Sequence, residues 1–278
     1  MAQRFVTGVI LALALCAFLY LGGWFLVAAV FLVYALALYE ELTALRHINH
    51  RPVWWASFAA LIVSVPLILT YSYVAILPIL VAFSFCVLLQ VMLREHPDLV
   101  DVMVSLLPIF TLVLPAISIL GILETSPRSL QLFFLLLMFA IAIGGDIFAY
   151  SIGTRIGGKK LCPNISPHKT VSGAIGGLVG SIFGAALVAL IFPLFVQDVS
   201  FPPLWATLLA ALLGAIAAQT GDLLASMVKR HCDIKDFGNL FPGHGGMLDR
   251  LDSVSFSAIV IYSYRVILLL AAASPPSV

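Results

Sequence analysis

The stretch KRHCDIKDFGNLFPGHGGMLDRLD, residues 229 to 252, concentrates charge in an otherwise apolar chain. Lys229, Arg230, Asp233, Lys235, Asp236, Asp249, Arg250 and Asp252 fall here, in a sequence that has only 14 Lys+Arg and 13 Asp+Glu over 278 residues. Just upstream, in QTGDLLASMVKR, the spacing of Asp222, Ser226 and Lys229 or Arg230 predicts one polar stripe on a helix. Downstream, Asp249 and Ser253 stand at i, i+4, and Asp249 and Asp252 at i, i+3, so both carboxylates can face one site. Carboxylates with oxygen neighbours suit a hard cation such as Mg²⁺, which is held by one or two carboxylates together with substrate phosphates. Lys229, Arg230, Lys235 and Arg250 would neutralise those phosphates. Gly243, Gly245 and Gly246 lack Cβ atoms, so their backbone N–H groups could approach an anion closely. Metal, cations and glycines together indicate phosphoryl or nucleotidyl transfer. A solvated basic loop would explain the lysines, but not the Pro-Gly turn, the His-Gly-Gly and the paired aspartates.

A second polar cluster reads GGDIFAYSIGTRIGGKKLCPNISPHKTVSG. Asp146 lies within an apolar run with Tyr150 at i+4, and an ionisable residue inside a span is a functional candidate by default. Arg155, Lys159, Lys160 and Lys169 follow, with Ser166 and Thr170 among them. Each cluster alone is weak. Two glycine-bearing loops, each beside an intramembrane aspartate, make a stronger case.

The elements that must position these residues are membrane helices. Hydrophobic residues make up 62% of the chain, charged residues 10%, and the mean hydropathy is +1.14, against ~25% charge in soluble chains. So little polar surface cannot cover a soluble fold of this length. Continuous apolar runs favour helices over the alternating pattern of a barrel. The sequence predicts an all-α polytopic bundle of nine spans, near 5–21, 24–40, 54–70, 73–91, 103–123, 130–150, 173–196, 204–226 and 253–272. The first run continues without a cleavage site, so it reads as spans rather than a removed leader. Residues 40–51 read as a short interfacial helix before Trp54 and Trp55, which suit a membrane boundary.

With nine spans, 12 of the 14 basic residues fall in the N-terminus and the even-numbered loops, and Arg128 alone falls in the opposite loops. The positive-inside rule then puts the N-terminus and both polar clusters on the cytoplasmic side; the expected location is a bacterial inner (cell) membrane. Short loops predict one integral-membrane domain over 1–278, with N-terminal spans in 1–101 and the spans carrying the site in 102–278. Gly176, Gly180 and Gly184 share a helix face and let backbones approach, within the chain or in a homodimer. A net charge of +1 gives no field for nucleic acid. Cys16, Cys86, Cys162 and Cys232 show neither a disulfide framework nor zinc spacing.

From Ser226 to Asp252 the chain reads S-x-x-K-R-x4-K-D-x-G-x3-P-x-H-G-G-x-x-D-R-x-D. This resembles the signature of the phosphatidate cytidylyltransferases (CDP-diacylglycerol synthases), with Ser226, Lys229, Arg230, Lys235, Asp236, Gly238, Pro242, His244, Gly245, Gly246, Asp249, Arg250 and Asp252 filling its fixed positions. The Asp146 region and the S-P-x-K-T element at Ser166–Thr170 extend the likeness. Where the family reads S-P-K-K-T-x-E-G, this chain has His168 and Ser172 for a lysine and the glutamate. The resemblance implies CTP and phosphatidate, a membrane lipid, as substrates, with CDP-diacylglycerol and pyrophosphate as products. It implies Mg²⁺ at Asp222 and Asp249, with a two-cation centre as an option, and Asp252 as a further metal candidate. It implies catalytic roles for Asp222, Asp249, Lys229, Arg250 and His244, the last as proton shuttle or loop-shaping group. Substrate contacts would fall to Ser226, Arg230, Lys235, Asp236, Gly245, Gly246, Ser166, Lys169, Thr170 and Asp146. The rival readings are a CTP-dependent lipid or polyprenol kinase and, further off, an ion-coupled transporter.

Overall fold

The computed structural model describes residues 2–47, 50–197, 199–241, 243 and 245–273. Its helices are α1 (Ala2–Leu21), α2 (Gly23–His47), α3 (Trp54–Tyr71), α4 (Ile76–Met92), α5 (Leu99–Pro108), α6 (Leu114–Leu123), α7 (Arg128–Ile156), α8 (Val171–Phe195), α9 (Leu204–His231) and α10 (Leu248–Ala273). The strands β1 (Lys160–Cys162) and β2 (Ser166–Thr170) pair antiparallel, Lys160 opposite Thr170. A helix satisfies its backbone polar groups internally, which an apolar solvent demands. The outward faces carry large apolar side chains, among them Trp24, Phe25, Leu77, Phe195 and Trp205. The chain is an integral membrane protein by these features.

Among the described residues, seven stretches are long and apolar enough to cross a membrane. All nine ranges expected from the sequence fall on helix, but two are not counted separately. The apolar part of α1, Thr7–Leu21, is short, and Trp54–Met92 forms one stretch of 39 residues. That stretch is not straight. A 3₁₀ turn at Ser72–Ala75 divides it, and the Trp55 indole N–H donates to Gln90 Oε1 near its far end. Trp55 and Gln90 can meet only if α4 folds back along α3.

Some boundaries differ from expectation for local reasons. Residues 40–47 are the last turns of α2 rather than a separate interfacial helix. The fifth span starts earlier, because Asp98 caps α5 by accepting from Val100 N at 3.0 Å. Asp101 is buried and paired with Arg94 at 2.6 Å. A π-helical segment, Ile109–Val113, joins α5 to α6. It places the Thr111 hydroxyl on the buried Glu41 carboxylate at 3.0 and 3.2 Å.

The chain divides into two compact units: Met1–Leu123 with Val228–Asp252, and Glu124–Met227 with Ser253–Val278. In the first, α3 packs against α2, α4 and α6, and Val53, Ala56, Val87, Val91 and Ile109 form a buried cluster. In the second, α7 and α8 pack tightly through glycine. A Cβ on Gly144 would lie 2.8 Å from the Gly180 carbonyl oxygen, and one on Gly184 2.7 Å from that of Ala140. The glycine face predicted in the seventh run is thus used within the chain. The Ser181 hydroxyl ties the two helices by donating to Ile141 O at 2.7 Å.

Candidate active site

In the first unit, α9 ends at His231 in a Schellman motif. Ile234 N donates to Lys229 O at 2.9 Å and Asp233 N to Arg230 O at 3.2 Å, with Asp233 at φ +52° in the left-handed position glycine usually fills. The chain then turns back toward the start of α10. Phe237 N and Gly246 N donate to Asp249 Oδ2 at 2.9 and 3.0 Å, and Lys229 Nζ donates to Oδ1 at 2.8 Å. The ammonium also lies 5.5 Å from the centre of the Phe237 ring, a cation–π contact. Asp249 is deeply buried, its side chain 3% exposed against 16% for Lys229. Taking a carboxylate out of water costs several kcal/mol, and one ion pair rarely offsets it; three donors on two oxygens do.

Gly245 sits at φ +80°, where an L side chain is strained, and a Cβ there would lie 2.8 Å from Asp249 Oδ2. Phe241 N donates to Gly245 O at 3.0 Å and closes the loop. The glycine loop was expected to offer N–H groups to a substrate anion. In the structure, the amide of Gly246 is held by Asp249, and those of Met247 and Leu248 by Glu40 at 3.0 and 2.9 Å. These amides grip the protein's own carboxylates. Glu40 was not singled out in the sequence, because a glutamate at a span end looks like ordinary interfacial charge. Its partners lie 207 and 208 residues away.

Of the other candidates in this unit, Arg230, Lys235, Asp236 and Arg250 are exposed, and Asp252 lies half-buried in the first turns of α10. His244 and Pro242 lie outside the described residues. His231 and His50 stack with centroids 5.5 Å apart. The four cysteines are free. Burial, and then the Glu41 carboxylate, push the Cys232 thiol up to about 11.

In the second unit, Lys169 on β2 forms an ion pair with Asp222 on α9, each side chain nearly a third exposed. Both line a cavity of about 600 Å³. Asp146 and Tyr150 reach it from α7, Lys160 from β1, and His168 and Thr170 from β2. Its apolar wall includes Ile141, Ala142, Leu161, Ala215 and Leu223. Thr170 caps α8, accepting from Gly173 N at 3.1 Å. Its hydroxyl lies 3.1 Å from that of Ser172, which donates to Gly157 O. Gln219 Nε2 donates to Ala174 O at 3.0 Å. Ser166 opens β2, and Ser226 lies half-buried one turn beyond Asp222. The expected residues therefore separate into an Asp249–Lys229 pair in one unit and an Asp222–Lys169 pair in the other.

Among the described residues, no three His, Cys, Asp or Glu side chains cluster as a metal cage. Mg²⁺ is held by one or two carboxylates plus phosphate and water, while zinc requires three or four protein ligands. Each aspartate instead faces an ammonium, a charge that substrate phosphates would also attract.

The chain matches the cytidylyltransferase family over residues 2–268. It is 33% identical over 265 residues to a phosphatidate cytidylyltransferase of Staphylococcus epidermidis, covering 92% of this chain and 95% of the relative. It is 37% identical over 172 residues to that of Rickettsia bellii, covering 62% and 74%. Over 130 residues it is 44% identical to that of Brucella abortus, covering 47% of this chain. In that alignment the chain spans about half the relative's length, 46%.

Proposed function

The chain belongs to the cytidylyltransferase family, and on that premise we propose that it makes CDP-diacylglycerol and pyrophosphate from CTP and phosphatidate. The observation that carries this reading is the reach of the family match, residues 2–268, which takes in both polar clusters and both Asp–Lys pairs. A phosphate oxygen of phosphatidate attacks the α-phosphorus of CTP, and the bond to the β-phosphate breaks to release pyrophosphate. No protein nucleophile is needed. Lys229, Arg230, Lys235 and Arg250 hold phosphate oxygens and offset the repulsion between two anionic substrates. The cavity beside Asp222 sets Lys160, His168 and Lys169 next to an apolar wall, a combination suited to a substrate with both a phosphate and hydrocarbon. The proposed Mg²⁺ ligands are Asp222 in the second unit and Asp249 and Asp252 in the first, with a second cation as an option. Bound there, Mg²⁺ would supply charge neutralisation on the leaving pyrophosphate.

The decisive assay incubates the purified protein with CTP, Mg²⁺ and phosphatidate and measures pyrophosphate and lipid product together. Equal release of pyrophosphate and CDP-diacylglycerol supports the reading. CDP release with a phosphorylated lipid alcohol would replace it with a kinase, and no turnover of either kind would reopen the transporter.

We also propose that all nine apolar runs cross the membrane as a single integral-membrane domain. Trp54–Met92 would make two passes and α1 one, with the site in the spans of 102–278. The basic loops then face the cytoplasm, where CTP is available. Asn239→Cys and Ser277→Cys, each in a cysteine-free background, should label oppositely with an impermeant thiol reagent on intact cells. Labelling of both from outside would break this topology.

A further inference from the structure

We propose that Glu40 is a positioning residue for Asp249, an inference that rests on the nucleotidyl-transfer reading of this site. Both carboxylate oxygens of Glu40 are engaged: Oε1 accepts from Met247 N at 3.0 Å and Oε2 from Leu248 N at 2.9 Å. These amides open α10 and have no partner within the helix. A carboxylate there also opposes the positive end of the helix dipole. Gly246, the residue before Met247, gives its amide to Asp249 Oδ2 at 3.0 Å. Two carboxylates from distant parts of the sequence thus grip successive amides, and moving one moves the other.

The loop closes on Glu40 from two sides. A Cβ on Gly246 would lie 2.7 Å from Glu40 Cδ, and one on Gly238 2.9 Å from it. There is room for the carboxylate because both residues are glycine. Glu40 therefore fixes where α10 begins. The start of α10 fixes Asp249, and Asp249 fixes Lys229 at 2.8 Å. Glu40 also fills the α10 N-terminus, a natural anion site, so that substrate phosphate is directed to the lysines and arginines instead. It touches none of the reacting atoms and acts through Asp249.

The test uses the full-length protein in lipid, with Glu40→Gln as the isosteric variant and Gly238→Ala as the second. The amide of glutamine can accept one of the two N–H groups, and the new methyl at 238 displaces the Glu40 carboxylate without changing charge. In both variants kcat should fall about tenfold or more, while KM for phosphatidate changes less than about twofold. Hydrogen exchange should lose protection in peptides covering 237–252 and keep it in those covering α7 and α8. Parent kcat with parent exchange in 237–252 would overturn the proposal. So would a lower melting temperature with kcat per folded enzyme unchanged. Failure of both variants to fold would also overturn it, by making Glu40 a residue of the fold rather than of the site. Asp249→Asn is assayed alongside. If that variant turns over like the parent, the nucleotidyl-transfer reading of the site fails, while the exchange data still report on the Glu40 grip.

Discussion

The two aspartate–lysine pairs look alike in sequence and differ in structure. Asp249 is 3% exposed and its oxygens take an ammonium and two backbone amides. Asp222 is 28% exposed, faces Lys169 and opens on a cavity. A buried pair of the first kind costs 3–5 kcal/mol when one partner is removed. A pair of the second kind, nearly a third exposed, lies closer to the surface pairs that contribute ~0–1 kcal/mol and are screened by salt. The first is therefore built into the fold before any substrate arrives, and the second is free to exchange its partner for a ligand.

The largest effect should come from breaking the locked pair. Asp249→Asn should lower kcat by about three orders of magnitude or more and also lower the melting temperature, because Lys229 loses its buried counter-charge. Asp222→Asn should come next, with turnover falling at least about a hundredfold while the melting temperature stays near the parent's. Thermal melts beside steady-state kinetics decide the matter. If both variants lose stability equally, the contrast between the pairs is wrong. EDTA should silence the parent enzyme if Mg²⁺ is the cofactor.

Lys229→Ala and Arg250→Ala separate the two roles more finely. A charge-assisted hydrogen bond contributes ~1.5–3 kcal/mol, so kcat/KM for CTP should drop about 10- to 150-fold in each. Only Lys229→Ala should also destabilise, since Arg250 is exposed. Normal kinetics in both would leave these positions as topology determinants alone.

The smallest effect concerns Cys232, next to the end of α9 and buried in the first unit. Its thiol is raised from 9.0 to about 11, so between these values the folded state holds a proton that the unfolded chain has lost. Stability should fall as pH rises through this window and be unaffected below it. Alkylation at pH 8 should be slow in the folded protein and fast after denaturation; equal rates would show that this end of α9 frays.

The helices were legible in the sequence because their apolar runs are long and continuous, and all nine expected ranges lie on helix. The signature carboxylates were legible by their spacing, and the Gly176, Gly180 and Gly184 face by its period of four. Glu40 was not, because nothing local marks a carboxylate whose partners lie 207 residues away. Nor was the burial of Asp101, since Arg94 and the Arg51 amide that satisfy it come from other segments. The left-handed Asp233 was hidden because the usual glycine is missing. The strands β1 and β2 are too short for an alternating pattern to show. Sequence periodicity reports which face of an element is buried. It is silent on what the face meets.

The contact between Trp55 and Gln90 has a consequence for how the chain is made. A hairpin returns the chain to the end from which it set out. Val53 and Leu93 then lie at the same end of the helix pair, however the 39 apolar residues between them are counted. Hydropathy alone could read this stretch as one long pass, and that odd count would invert every later loop. The hairpin acts as a parity check, in which one indole hydrogen bond between its ends marks the return of the chain.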